Sequence, residues 1–291
     1  MQTVDFHQHL WPEPLVELLA RRKRPPLLRG SVVEVPGEGA SEVDLGAHDL
    51  SARLAQMDAV GIDVAVVSLA PTLGVAGLES GEAAALVEAY EEGILELAAA
   101  SGGRLAPLAA GAEVERFAGA CIGAPELLEL DLLAPRLDEL ERRGALLFVH
   151  PGPGNPPAGR PSWWPAVVDY TAQMQAAYAV WLAEGAGRWP GLRIVFAILA
   201  GGGPFQLERL QSRGVSGRDI LHENVFFDTA SYGRRALELC MSTFGVGQLL
   251  LGTDTPVLDP APALDAVRAF GEAVTDTLCR QNPARLLAPS S

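Results

Sequence analysis

Two histidines stand one residue apart near the start of the chain, His7 and His9 in VDFHQHLW. They end a stretch that alternates apolar and polar residues, as a β-strand does. Side chains at i and i+2 of a strand share a face, so both imidazoles reach one point off one strand end. Only five histidines are present, and two of them at this spacing point to a shared metal ion. His150 closes the apolar run ALLFVH and precedes Pro151-Gly152. Asp254 closes QLLLGTD and precedes Thr255-Pro256. Three imidazoles and one carboxylate suit Zn²⁺, Mn²⁺ or Fe²⁺, with zinc the first expectation. A divalent ion with an open position polarises a carbonyl and brings the pKa of water toward neutrality.

Those four residues meet only if the elements carrying them converge. The sequence reads as alternating strands and helices. Strands are expected near 3–9, 63–69, 104–109, 117–122, 145–150, 193–199, 224–230 and 248–254, from β-branched and apolar runs. Helices are expected near 48–60, stopped at Gly61, then at 82–101, 132–143, 165–187 and 233–243, and from Ala261 to NPARLL. Eight strand–helix units predict parallel strands with helices outside, an α/β (β/α)₈ TIM barrel in one domain over 1–291, with an open α/β sheet as the alternative. In a barrel, the first and eighth strands are neighbours and the fifth lies across the mouth. His7, His9, His150 and Asp254 then face one volume at the C-terminal face, where barrel enzymes hold their chemistry. Residues 11–47 read as an irregular insertion over that mouth.

Composition narrows the function classes. The 291 residues are 48% hydrophobic and 20% charged, which supports a sizeable core and argues against disorder. A formal charge of −14 makes nucleic acid and anionic membranes poor partners. The basic run RRKRPP at 21–26, with Arg29 nearby, is short and reads as a loop against solvent or an acidic neighbour. No apolar run reaches the ~18 residues of a bilayer span, and no secretory leader pattern is visible. Cys121, Cys240 and Cys279 are scattered and odd in number, which predicts a reducing, cytoplasmic setting without disulfides. The GGG run at 201–203 lacks both the Gly-x-Gly-x-x-Gly pattern and a Walker lysine, so no cofactor-binding motif is assigned. It predicts close backbone approach instead.

The segments VDFHQHLW, LSARLAQMDAVGIDVAVVSL, LLFVHPGP, IVFAILAGGGPFQLERL, NVFFDTASYG, LLGTDTPV and NPARLL together resemble the amidohydrolase-related (amidohydrolase 2) family of metal-dependent TIM barrels, which includes aminocarboxymuconate-semialdehyde decarboxylase. The resemblance covers nearly the whole chain and rests on the order and spacing of these segments. It implies a single divalent metal held by His7, His9, His150 and Asp254, a small-molecule substrate and a homodimer. Trp163, Trp164, Trp181 and Trp189 are candidate aromatics for an interface.

One part of the family pattern is missing. Its members carry a further histidine after the sixth strand that works on the metal-bound water. Here that place falls on Ile198, Leu199 or Ala200, none of which transfers a proton. Asp254 is then the candidate catalytic proton acceptor as well as a ligand. His48 and His222 are expected to be structural, and Asp228 to orient a ligand histidine or support a loop. The expected activity is metal-dependent hydrolysis of an amide, ester or lactone, with non-oxidative decarboxylation as the alternative and a catalytically impaired binding protein as the third reading. The substrate's identity is not legible in the sequence.

Overall fold

The computed structural model describes residues 1–215 and 222–287. Its centre is an eight-stranded sheet in the order β1, β5, β6, β7, β8, β9, β10, β11. The strands are β1 (Val4–His9), β5 (Val64–Ser68), β6 (Leu105–Ala109), β7 (Gly119–Gly123), β8 (Leu146–His150), β9 (Arg193–Phe196), β10 (Val225–Asp228) and β11 (Leu249–Leu250). Every neighbouring pair in that order is parallel. The ends of the sheet meet: Phe6 N–H donates to Leu251 O at 2.8 Å, Asp254 N–H to His7 O at 2.8 Å and His9 N–H to Thr255 O at 2.7 Å. These bonds close the (β/α)₈ TIM barrel and exclude the open sheet.

The strands are buried on both faces, as strands walled by a filled interior and an outer helical ring must be. Helices Leu50–Val60, Ser80–Ala100, Leu130–Arg143, Tyr170–Val180, Arg234–Phe244 and Pro260–Arg268 surround them. Each lays a small apolar stripe inward, for example Leu86, Tyr90 and Ile94, or Leu137 and Leu140. Asp49 caps the first of these helices by accepting from Ala52 N–H at 2.9 Å, and Gly61 ends it at φ +80°. The three cysteines are free and buried.

Of the strands that are shorter than expected, β9 and β11 have a clear local reason. β9 stops at Phe196 because Ile198, Leu199, Ala200 and Gly201 take left-handed φ values of 45°, 51°, 50° and 61°. β11 is two residues long. Beyond it the chain turns to pair with β1, and Asp254 itself sits at φ +61°.

Residues 11–47, expected to be irregular, are ordered. They hold the helix Glu13–Arg21 and an antiparallel sheet of β2 (Leu27–Arg29), β3 (Val32–Val35) and β4 (Gly39–Glu42). Leu15, Leu19, Leu28 and Val33 bury against the core. Short strands with Gly and Pro between them carry little periodicity, which hid this sheet from the sequence. The basic run is spent locally. Arg21 pairs with Glu17, Arg22 and Arg24 with Glu82, and Arg29 donates to backbone carbonyls.

Candidate metal centre

β1 brings in His7 and His9, and a register shift between Asp5 and Gln8 lies where His7 turns inward. β8 delivers His150 from across the barrel. The three ring centroids lie 4.9–5.1 Å apart, and one ligand atom from each lies within 4.8 Å of the others. Asp254 Oδ1 is 3.5 Å from His7 Nε2 and 3.3 Å from His9 Nε2. The sequence-named residues therefore meet in one place.

The rings are fixed from behind. His7 Nδ1 bonds Asp228 Oδ2 at 2.8 Å, His9 Nδ1 bonds Ser68 O at 3.1 Å and His150 Nδ1 bonds Pro151 O at 2.9 Å. An acceptor on each Nδ1 puts the ring proton there and leaves Nε2 as a lone pair, the arrangement that metal-ligating histidines use. His7 Nε2 and His9 Nε2 face each other at 3.2 Å. Two lone pairs at that distance repel unless a cation or proton lies between them. The donor set therefore fits a divalent ion.

The electrostatics agree. Burial presses the His7 imidazole down, but Asp228, Asp254 and Asp5 together outweigh it and raise its pKa to about 9. His150 is pushed well below its usual value by burial and by His7 and His9 beside it. Burial pushes Asp254 up, yet the three histidines overcome it and hold the carboxyl below its ordinary value. The shared volume thus favours positive charge at His7 and disfavours a proton on His150.

Asp228, expected to orient a ligand histidine or support a loop, accepts from His7 and from Ile198 N–H at 3.1 Å and Ala230 N–H at 2.9 Å. Other supporting residues escape a sequence reading. Asp5 accepts from His7 N–H, Gln8 Nε2 and Thr253, and burial raises its pKa despite these bonds. Arg53, fully buried, donates to Gln8 Oε1 and to the carbonyls of His9 and Ala47. The available signal was polarity itself: Asp5 and Gln8 lie in a strand buried on both faces, where each polar group needs a partner.

Above the imidazoles is a cavity of about 530 Å³. Its walls include Ala166, Val167, Tyr170, Ile198, Val257 and Leu258, and no Lys or Arg lines it among the described residues. Of the three positions considered for the missing histidine, Ile198 lines this cavity, whereas Leu199 and Ala200 are fully buried elsewhere. The glycine run makes the expected close approach. A Cβ on Gly201 would overlap the Thr171 carbonyl and lie 2.8 Å from Thr171 Cα.

Other expected residues fall outside the cavity. Trp181 and Trp189 are buried and stack on each other, so they belong to the molecule's own helical layer. Trp163 is 54% exposed and stacks on Trp164 one turn before the cavity wall. His222 bonds the backbone of Asn224 beside β10. His48 is buried, stacks on Trp11 and accepts the Trp11 N–H at 3.0 Å.

The comparisons with known proteins agree with the fold. The 2-amino-3-carboxymuconate-6-semialdehyde decarboxylase of Dictyostelium discoideum is 26% identical over 173 residues, 53% of this chain, and the match spans about half, 48%, of that relative's length. The Metarhizium anisopliae IDCase crystal structure superposes with a TM-score of 0.80 at 22% identity, covering 98% of this chain and 97% of its own. A 5-carboxyvanillate decarboxylase from Novosphingobium aromaticivorans, complexed with manganese and 4-hydroxy-3-methoxy-5-nitrobenzoic acid, gives 0.77 at 16% identity over 98% and 96% of the two chains. At these identities the structures speak for the fold. The sequence model of the amidohydrolase family matches residues 4–288, and with a closed barrel carrying the histidines of its first and fifth strands at one mouth, the chain belongs to that family.

Proposed function

We propose that the protein is a metal-dependent decarboxylase acting on a small carboxylated, electron-accepting molecule. This reverses the order expected from the sequence, where hydrolysis came first. The observation that carries it is Ile198 on the cavity wall. Hydrolysis needs a base for water and an acid for the leaving group. Decarboxylation needs charge stabilisation and one proton delivered to carbon, a lighter demand on a site without the extra histidine. The decarboxylase names of the Dictyostelium relative and of several structural neighbours point the same way.

His7, His9, His150 and Asp254 would hold the ion, and when bound it supplies positive charge for the substrate carboxylate and for the electron pair left behind. The Nδ1 acceptors Asp228, Ser68 O and Pro151 O keep the rings aimed. Ile198, Val167 and Leu258 keep the reacting carbon in apolar surroundings, which favours loss of charge from a carboxylate. Breaking the C–C bond releases CO₂ and leaves a pair of electrons on carbon, which a proton then fills. Asp254, 17% exposed at its side chain, would relay that proton from solvent. A His₃Asp set accepts Zn²⁺, the sequence expectation, and equally Mn²⁺, the ion in the Novosphingobium neighbour.

The test is product analysis. Protein loaded with Zn²⁺ or Mn²⁺ is given aromatic carboxylates, and in parallel amides, esters and lactones. CO₂ release that depends on metal and is lost in Asp254→Asn supports the proposal. Acid or amine release without CO₂ restores the hydrolase reading. Within the same proposal the chain acts in the cytoplasm as one domain over 1–291 and as a homodimer, with Trp163, Val167 and Val257 as the exposed apolar rim. Light scattering across a concentration series checks the dimer.

A further inference from the structure

Among the described residues, five that are not glycine take left-handed φ values: Ile198, Leu199, Ala200, Ser231 and Asp254. Ile198, Ser231 and Asp254 all line the metal cavity. They follow β9, β10 and β11, three neighbouring strands of the barrel. Such a conformation costs energy in a residue with a Cβ, and it gathers at functional sites, where the surroundings enforce it. Ile198 stands where the further histidine was expected, and Asp254 belongs to the ligand set. Ser231, at φ +66°, lies between them in the order of the strands.

The bonds that hold Ser231 also hold its two neighbours. Asp228 Oδ1 accepts Ala230 N–H at 2.9 Å and Ile198 N–H at 3.1 Å. Tyr232 N–H donates to Thr229 O at 3.1 Å, and Thr229 N–H to Leu250 O at 3.1 Å. Thr229 Oγ1 accepts Gly252 N–H at 3.2 Å. Ser231 and Asp254 each stand two residues beyond that last tie, and paired strands run about 4.8 Å apart. The register therefore sets Ser231 beside Asp254.

The hydroxyls on the cavity differ in what they touch. Tyr170 OH donates to Glu38, and Thr171 Oγ1 to the carbonyls of Val167 and Val168. Those of Thr72, Ser231 and Tyr232 have no partner among the described residues. Ser231 is an exposed residue, so a ligand in the cavity reaches it, and of these three it alone sits on strained backbone. A carboxylate bound through one oxygen leaves the other in need of a donor. Beside that place Asp254 accepts hydrogen bonds when ionised, Ile198 is apolar, and no Lys or Arg lines the cavity among the described residues. A serine O–H supplies the donor.

We propose that Ser231 is a substrate-binding residue, whose hydroxyl donates to the carboxylate oxygen that the ion does not hold. Held at both oxygens, the carboxylate cannot turn, and the C–C bond to be broken keeps one direction. This rests on the reading that the substrate's carboxylate sits at the metal.

Spectral titration of the Co²⁺-loaded protein tests it without turnover, because the visible bands of that ion report a ligand bound to it. The probes are benzoate and 1-methylimidazole, which binds through one nitrogen and has no second hydrogen-bonding group. Ser231→Ala is expected to bind benzoate about 10- to 100-fold more weakly than the wild type, and 1-methylimidazole equally well. Ser231→Gly, which suits a left-handed φ, gives the same pair of results and decides should the Ala variant not take up one Co²⁺. Tyr232→Phe and Thr72→Val, which remove the other free hydroxyls, keep wild-type affinity for benzoate. Unchanged benzoate binding in the Ser231 variants, equal weakening of both probes, or a loss confined to Tyr232→Phe or Thr72→Val overturns the assignment of Ser231 alone. Wild-type protein that binds 1-methylimidazole at the ion but no benzoate overturns the decarboxylase reading and this inference together.

Discussion

Asp228 shows how one side chain at depth sets the chemistry at the surface of the site. It is fully buried and takes three donors, of which one is His7 Nδ1 and another the backbone of Ile198. It therefore holds a metal-facing ring and the cavity wall at once. Replacing it by Asn removes the charge and sets an amide hydrogen against at least one of those donors. Asp228→Asn is expected to weaken metal binding about 10- to 100-fold, measured by competition with a chromophoric chelator. His48 gives a second prediction at this scale. Burial, with Arg53 and His9 adding to it, lowers its pKa from 6.5 to about 4. In the unfolded chain it takes a proton below about 6.5, while in the folded protein it does so only near 4. Its contribution to stability is therefore present above pH 6.5 and lost as pH falls toward 4, by about 3 kcal/mol in all. Urea unfolding at a series of pH values should show a shallower acid loss in His48→Gln than in the wild type. Parallel slopes would reject this.

At the scale of elements, the turn after β9 is the part whose geometry the site depends on most. Five successive left-handed residues, Ile198 to Gly202, carry the chain from the strand into the next segment and set Ile198 facing the cavity. For residues with a Cβ this conformation costs roughly 1–2 kcal/mol each. It persists because the Ile198 N–H is held by Asp228 and Gly201 O accepts from Gln175 Nε2 at 2.7 Å. Gly201 touches the backbone of Thr171, at the start of the helix that also supplies Tyr170. Gly201→Ala is expected to cost about 2–4 kcal/mol, combining backbone strain with overpacking. Gly187→Ala meets nothing within 4 Å and sits in a helix, so it should be neutral or stabilise by up to about 1 kcal/mol. Chemical denaturation of the pair separates a specific contact from a general effect of the added methyl.

For the molecule as a whole, the metal centre is also the clasp of the barrel. β1 and the segment after β11 are far apart in sequence and meet at His7, His9 and Asp254, where the backbone bonds that close the sheet also lie. Gly252 is small because Asp228 Cγ and His7 Cβ would lie 2.9 and 3.0 Å from any Cβ there. An ion bound by residues from β1, β8 and the end of β11 joins the two ends of the chain to the far wall, and only the folded protein offers that set. Binding is therefore linked to folding: free metal 100-fold above Kd adds about 2.7 kcal/mol. A chelator-treated sample should melt roughly 4–5 °C lower than a reloaded one, read by calorimetry. Equal melting temperatures with one metal bound would contradict the linkage. Among the described residues no helix is long and apolar enough to cross a membrane.

The sequence by itself determined the alternation of strands and helices and the chemical types that end the strands. These are local properties: periodicity records which face is buried, and a polar residue closing an apolar run marks where the chain leaves the core. Hence His7, His9, His150 and Asp254 were legible before any fold was known, and so was the absence of a proton-transferring group in FAILAGGGPF. Only the tertiary structure decided that Ile198, and not Leu199 or Ala200, faces the cavity, because that depends on a run of left-handed residues that sequence preferences disfavour. It alone paired His7 with Asp228 across 221 residues, buried Trp181 and Trp189 within the helical layer, and folded residues 11–47 into a sheet that walls a side chamber around His48. Each of those outcomes depends on which surfaces meet when the barrel closes, and closure joins residues whose local sequences carry no mark of one another.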